Sequence, residues 1–167
     1  MLIAASNRNS LELLNLRTNS LETFIGKNGS SGHIYEGHKL NDVRLTYPYG
    51  IASDNESRIF FGEKNTTGMH LLVMTFTGDH VTSKHLSTQS FKPRYLCYDH
   101  MTGDLYLTID HGLAVFHNGS ETMRVVTGSA DSGFGVGSLS TSEFYLPRGL
   151  TMIDSKTVIV MDLYNNR

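Results

Sequence analysis

Short apolar runs separated by clusters of polar turn residues set the pattern of this chain. Gly50-Ile51-Ala52 leads through Asp54-Asn55-Glu56-Ser57 into Arg58-Ile59-Phe60-Phe61. Tyr95-Leu96-Cys97-Tyr98 leads through Asp99-His100-Met101-Thr102-Gly103 into Asp104-Leu105-Tyr106-Leu107. Leu150-Thr151-Met152-Ile153 leads through Asp154-Ser155-Lys156 into Thr157-Val158-Ile159-Val160-Met161. β-branched and aromatic runs joined by Asp, Asn, Ser and Gly are hairpin signals, and each set predicts two strands. No segment sustains a 3.6-residue apolar period, and residues 11–16, which come nearest, are too few for a helix. The predicted class is all-β.

A proline precedes each hairpin, in Tyr47-Pro48-Tyr49-Gly50-Ile51, Lys92-Pro93-Arg94-Tyr95-Leu96 and Leu146-Pro147-Arg148-Gly149-Leu150. These are all three prolines of the chain, and the steps from 48 to 93 and from 93 to 147 are 45 and 54 residues. That spacing suits one four-stranded unit per step. Proline fixes φ and enters a strand at its first residue, where no ladder donor is needed. Gly50 and Gly149 then permit a tight backbone approach; Tyr95 stands in that place in the middle copy and predicts a turn of different shape.

Glycine-rich connectors lie upstream of two of the prolines: Gly26, Gly29, Gly32 and Gly37 before Pro48, and Gly128, Gly133, Gly135 and Gly137 before Pro147. Before Pro93, residues 82–91 read as a Ser/Thr-rich connector without glycine. The chain closes on Asp162-Leu163-Tyr164-Asn165-Asn166-Arg167, and the stretch Ile3-Ala4-Ala5-Ser6-Asn7-Arg8-Asn9-Ser10 aligns with the same corner.

This order of glycine-rich loop, proline turn and Asp-x-x-Asn-Asn-Arg corner resembles the NHL repeat, the blade unit of one class of β-propeller. Pro48, Gly50, Pro93, Pro147, Gly149, Asp162, Asn165, Asn166 and Arg167 carry the resemblance, most strongly from residue 125 onward. It implies an NHL-type propeller segment of about three four-stranded blades. Residues 1–47 would be the end of one blade and a connector, 48–92 and 93–146 two blade-like units, and 147–167 the start of a further, truncated blade. Closed propellers usually have about 4–8 blades. The expectation is therefore a segment of a larger propeller, or a chain that completes itself by self-association. Packing between blades would fall to residues such as Ile51, Phe60, Leu105, Val158 and Val160.

Composition narrows the function. The 167 residues carry a formal charge of −2, with 16 acidic against 14 basic side chains and no basic stripe. Nucleic-acid binding, which rests on counterion release, is disfavoured. Arg44, Arg94, Arg124 and Arg148 could form a basic face like that of RNA-binding NHL propellers, but Asp42, Asp99, Asp131 and Glu143 accompany them. No apolar run reaches the length of a membrane span. The single cysteine, Cys97, allows no internal disulfide. Four Asn-x-Ser/Thr sequons, at Asn28, Asn55, Asn65 and Asn118, favour a secreted, N-glycosylated protein, although the first residues do not form a signal peptide. A cytoplasmic location is the alternative.

Candidate chemistry is sparse. Gly133-Phe134-Gly135-Val136-Gly137 lacks the strand-to-helix context of a dinucleotide fingerprint and the Lys-Ser/Thr of a phosphate loop, so it reads as a linker. Among the histidines, His33, His38, His80, His85, His100, His111 and His117 form no HExxH or Cys-His cluster. Surface or turn histidine is the simpler reading. The resemblance to lactonase-like propellers, which hold calcium in the channel, brings in Glu63, Asp110 and Asp162 as metal candidates, since they fall at similar phases; capping of a tight corner is the simpler role. Calcium or zinc would be the metal; no other cofactor is expected. The leading expectation is a non-catalytic interaction or extracellular-matrix-type scaffold for a protein or glycan. The alternatives are a metal-dependent lyase or lactonase with channel acids or histidines, and an RNA-binding propeller.

Overall fold

The computed structural model describes residues 1–32, 38–65, 68–87, 92–120, 122–154 and 156–167, without the side chains of 65, 68, 69 and 87. His33 and Gly37 lie outside the described residues, as does the side chain of Asn65. The fold is all-β: antiparallel sheets of two to five strands, with three single-turn 3₁₀ segments and no α-helix among the described residues.

The chain divides into two compact units, Met1–Thr88 and Gln89–Arg167. In the first, β1 (Leu2–Ala5), β2 (Ser10–Asn15) and β3 (Ser20–Gly26) form a three-stranded meander. β5 (Pro48–Ser53), β6 (Arg58–Asn65), β7 (Gly68–Thr77) and β8 (His80–Ser87) form a second meander, to which the two-residue β4 (His38–Lys39) adds along β8. The register Ile59↔Met74 and Phe61↔Leu72 puts four apolar side chains on one face, while Phe60↔Val73 and Gly62↔Leu71 occupy the other. Ile59, Phe61, Leu72 and Met74 join Leu11, Ile25, Val43, Leu45 and Val81 in one buried cluster. Apolar residues on both faces of β6 and β7 are what a strand covered on two sides requires.

In the second unit β9 (Leu96–Tyr98), β10 (Leu105–Ile109), β11 (Gly112–Phe116) and β12 (Met123–Gly128) form a four-stranded meander, and β13 (Leu150–Asp154) pairs with β14 (Thr157–Val160) as a hairpin. Every residue of β11 is buried.

Pro48 is the first residue of β5, while Pro93 and Pro147 stand three residues ahead of β9 and β13; all three are buried. Within the stretch 82–91, expected as a connector, residues 82–87 are strand, because β8 runs to Ser87, and 88–91 lie outside the described residues. Thr82, Ser83 and Ser87 pair with Thr75, Met74 and Leu71 of β7 in place of looping. Residues 11–16 contribute to a strand rather than a helix.

One irregularity recurs. The ladder shifts between Leu11 and Glu12, between Leu71 and Leu72, and between Leu113 and Ala114, leaving Phe24, Leu86 and Val126 as the extra residues on β3, β8 and β12. A bulge at the same step of each pair adds twist. Gly26 and Gly128 follow the bulges on β3 and β12 with φ of +93° and +107°. A Cβ there would run into the carbonyl oxygen of Asn9 or His111, so the close approach demands glycine.

Candidate interaction surface

The corner residues 162–167 assemble the most elaborate polar site. Leu163–Asn165 form a 3₁₀ turn closed by Asn166, whose φ of 56° and ψ of 42° are left-handed and whose N–H bonds the Leu163 carbonyl at 3.2 Å. Asparagine tolerates that conformation better than other side-chain-bearing residues. Near the N-terminus Ser6–Arg8 form the same turn, closed by Asn9 with φ 55° and ψ 40° and an N–H bond of 3.2 Å to Ser6. The aligned sequences therefore adopt one geometry.

Asp162, 1% exposed, is the hub. Its Oδ1 accepts the Tyr145 N–H at 2.8 Å, and its Oδ2 accepts Asn165 Nδ2 at 2.7 Å and Arg167 Nε at 3.1 Å. The expected corner cap is thus realised differently: the carboxylate binds an amide 17 residues upstream, and the corner is closed by backbone bonds. Arg167 reaches onward to the carbonyls of Gly135 at 3.2 Å and Glu143 at 2.7 Å, and Asn165 donates to Gly133 at 2.7 Å. A two-residue bridge, Gly135↔Glu143, closes the loop from within. The glycine-rich segment is therefore a clamped loop whose carbonyls are spent on the corner.

That clamp orders an aromatic surface. The Arg167 guanidinium sits 4.5 Å from the Phe134 ring centroid, close enough for a cation–π contact. Tyr145 and Tyr164 lie 5.1 Å apart ring to ring, and His111 is 6.0 Å from Tyr145. Phe134, Tyr145 and Tyr164 are 68%, 40% and 54% exposed. Sequence reading singled out Arg167 and Asn165 but none of these rings; their spacing of 11 and 19 residues carries no periodic signal that would pair Tyr145 with Tyr164 or Phe134 with Arg167.

Glu63 occupies the equivalent place in the first unit. Each of Glu63 and Asp162 lies 15 residues after its proline, and each accepts the N–H two residues before it, Thr46 at 2.6 Å and Tyr145 at 2.8 Å. Tyr47 and Leu146, immediately before those prolines, share φ of 47° and 49°. Asp110 does not belong to this set. In the middle copy Arg94 N–H bonds the Thr108 carbonyl, where the last copy has Arg148 N–H on Met161, so Ile109 takes the place of Asp162. The longer Asp99–Asp104 turn supplies the extra residue. Asp110 instead pairs with Arg94 at 2.8 Å and Lys92 at 2.9 Å. Burial pushes its carboxyl up, and the two cations outweigh this and hold it below the ordinary value.

Glu63, 1% exposed, behaves differently: burial raises its pKa to about 7, against the downward pull of the Thr46 N–H. Asp54 is depressed. Burial raises it, but the side chain and N–H of Arg58 and the N–H of Glu56 win. Asp54, Asp99 and Asp154 all accept amides of their own hairpin turns, as the Asp-led turns in the sequence implied.

Of the sequon asparagines, Asn28, Asn55 and Asn118 are exposed in turns, Asn55 with φ of 62°. The histidines are dispersed: His117 pairs with Asp104 at 3.0 Å, His80 with Asp79 at 2.6 Å, and His85 meets His70 edge to face at 5.3 Å. Among the described residues no three His, Cys, Asp or Glu side chains converge on a metal position, and Glu63, Asp110 and Asp162 serve the separate contacts just given. Arg94 is engaged with Asp110, and Arg44 donates to the carbonyls of Asn41 and Val43. No helix among the described residues is long and apolar enough to cross a membrane. No protein-family profile matches the chain, and no curated protein matches it significantly.

Proposed function

We propose that the chain is part of an NHL-type β-propeller that works as a non-catalytic interaction scaffold, extracellular and N-glycosylated, binding a protein or glycan partner. The observation that carries this reading is the exposed pair of rings Tyr145 and Tyr164, with the Tyr145 amide held by the buried Asp162, and exposed Phe134 against Arg167. Exposed rings fixed in advance lose little conformational freedom on binding, which is why such residues anchor recognition surfaces. The propeller part is supported by the recurrence of one corner, one bulge and one carboxylate–amide bond along the chain. A near-neutral charge suits a protein or glycan better than a polyanion.

The test is binding of the full chain to printed glycans and to immobilised extracellular-matrix proteins. Wild type is compared with the Tyr145→Ala/Tyr164→Ala variant. Saturable binding that drops at least tenfold in the variant, at unchanged circular dichroism, supports the reading. Equal binding by both proteins removes the surface, and one tightly held stoichiometric metal ion would favour the lyase or lactonase alternative. Enzymatic deglycosylation of protein secreted from eukaryotic cells should shift the mass at Asn28, Asn55 or Asn118. Experimental coordinates whose sheets do not fan about a shared axis would remove the propeller.

A further inference from the structure

We propose that Asn28 is a site of spontaneous conversion to aspartate and isoaspartate, and that Asn118, in the same tripeptide and the same turn, is guarded from it by Asp104 and Gly103. Asn28-Gly29-Ser30 and Asn118-Gly119-Ser120 are the two places in the chain where asparagine precedes glycine. Each sits in a four-residue turn: the Ser30 N–H bonds the Lys27 carbonyl at 2.9 Å, and the Ser120 N–H bonds the His117 carbonyl at 2.9 Å. Gly29 and Gly119 take φ of +74° and +77°, as the third position of such a turn demands, and a Cβ on either would meet nothing within 4 Å. Both asparagines are exposed.

The same residues open a covalent route. When ψ of Asn28 rotates, the backbone nitrogen of Gly29 reaches the side-chain carbonyl carbon of Asn28. The nitrogen bonds Cγ, its proton passes through water to Nδ2, and the Cγ–Nδ2 bond breaks to release ammonia. The product is a five-membered cyclic imide. Water then opens the ring at Cγ to give aspartate, or at the backbone carbonyl carbon to give isoaspartate. The net exchange is water for ammonia, with no change of oxidation state. A side chain on the attacking residue crowds this approach, so Asn55-Glu56, although Asn55 is exposed, is the poorer site. Each Asn-Gly-Ser is also a sequon, so a glycan on Nδ2 blocks the leaving group, and conversion removes the glycan acceptor.

Identical local sequence and matching turns leave the surroundings to separate the two sites. Asn118 donates its backbone N–H to Asp104 Oδ1 at 2.9 Å, and the other oxygen of Asp104 holds the neighbouring His117 ring at 3.0 Å. The Asn118 carboxamide lies against Gly103, where an added Cβ would come within 2.6 Å of its Nδ2. The residue that must rotate is thus tied at its N–H and packed at its side chain. Around Asn28 the described contacts are those of the turn itself, the Ser30 bond and the Lys27↔Ser30 bridge. The Asn28 turn can therefore open locally without breaking a side-chain contact, as the Asn118 turn cannot. This inference is independent of the scaffold reading above.

The experiment is incubation of the unglycosylated full chain at mildly alkaline pH, followed by peptide mass spectrometry and an isoaspartate-specific methylation assay. Asn28 should convert first. Asn118 should react about tenfold more slowly, the worth of one net hydrogen bond to a carboxylate in a local opening equilibrium. In urea the two rates should converge, because both sites are then plain Asn-Gly-Ser. Asp104→Ala should speed Asn118 towards the Asn28 rate and leave Asn28 unchanged, and that unchanged rate shows that the variant is still folded. Asn28→Gln should remove the early isoaspartate signal. Asn28 staying intact in the folded chain over a time that converts it in urea overturns the proposal, as does Asn118 reacting as fast as Asn28 without urea.

Discussion

Glu63 and Asp162 do the same backbone job with different electrostatics. Each is 1% exposed and each accepts the N–H two residues ahead of a buried proline. Around Asp162 the chain adds Asn165 and Arg167, so the second oxygen is hydrogen-bonded and a guanidinium faces the charge. For Glu63 the described hydrogen bond is the one from Thr46, and burial lifts its pKa to about 7. The difference teaches what the Asn-Asn-Arg ending adds. The carboxylate alone can hold the turn, but the Asn-Asn-Arg ending hydrogen-bonds its second oxygen and also ties in the neighbouring loop.

Removing the hub is the strongest way to break the comparison. Asp162→Ala leaves the Tyr145 N–H without its acceptor and takes one acceptor each from Asn165, which keeps the Gly133 carbonyl, and from Arg167, which keeps those of Gly135 and Glu143. Losing one partner of a buried charged pair costs about 3–5 kcal/mol. Urea unfolding of the second unit should show a loss of that size, and a change below about 1 kcal/mol would mean the hub is not structural.

For Glu63 the informative variable is pH. Its folded pKa of about 7 lies above the ordinary 4.5, so the folded state holds a proton that the unfolded chain gives up first. The stabilising contribution is complete below pH 4.5 and disappears as the pH rises to about 7, amounting to about 3 kcal/mol. Glu63→Gln keeps an acceptor for Thr46 without the charge. It should abolish most of that slope, match wild type near pH 4 and exceed it at pH 8. A variant with the wild-type pH profile would show that some other group titrates.

Much of this architecture was legible. Proline fixes φ, Asp-led turns bond their own amides, and period-two apolar runs make strands, so hairpins follow from local chemistry at Asp54, Asp99 and Asp154. The shared corner at Ser6–Arg8 and Leu163–Asn165 could be read because Asn9 and Asn166 meet the same left-handed requirement. Other features are settled by pairing across the sheet. A single residue gained in the Asp99–Asp104 turn moves Asp110 out of phase with Glu63 and Asp162. The bulge that places Val126 and Thr127, the packing of Tyr145 on Tyr164 and that of Arg167 on Phe134 leave no periodic trace.

Arg167→Lys sharpens the clamp itself. Lysine keeps the charge but cannot span Asp162, Gly135 and Glu143 with one planar group. The expected loss is about 1–2 kcal/mol. Amide exchange should quicken at Gly133 and Glu143, whose N–H groups bond Phe144 and Gly135 within the loop, while β10 and β11 stay protected. Uniform quickening across the unit would instead place Arg167 in global stability.

The smallest effects separate the two corner asparagines. Asn9 and Asn166 share a left-handed backbone, but Asn9 also accepts the Tyr47 N–H on its Oδ1 at 3.0 Å, whereas Asn166 is exposed and its described bond is the backbone one to Leu163. Glycine satisfies the backbone alone. Asn166→Gly should therefore be within about 0.5 kcal/mol of wild type, while Asn166→Ala costs about 1 kcal/mol for a side chain forced to positive φ. Asn9→Gly should lose about 1 kcal/mol, because the amide of Tyr47 is left without its acceptor. Thermal unfolding of the three variants measures the order. If Asn9→Gly were as neutral as Asn166→Gly, the bond to Tyr47 would carry no net weight, and the two corners would be equivalent in energy as well as in shape.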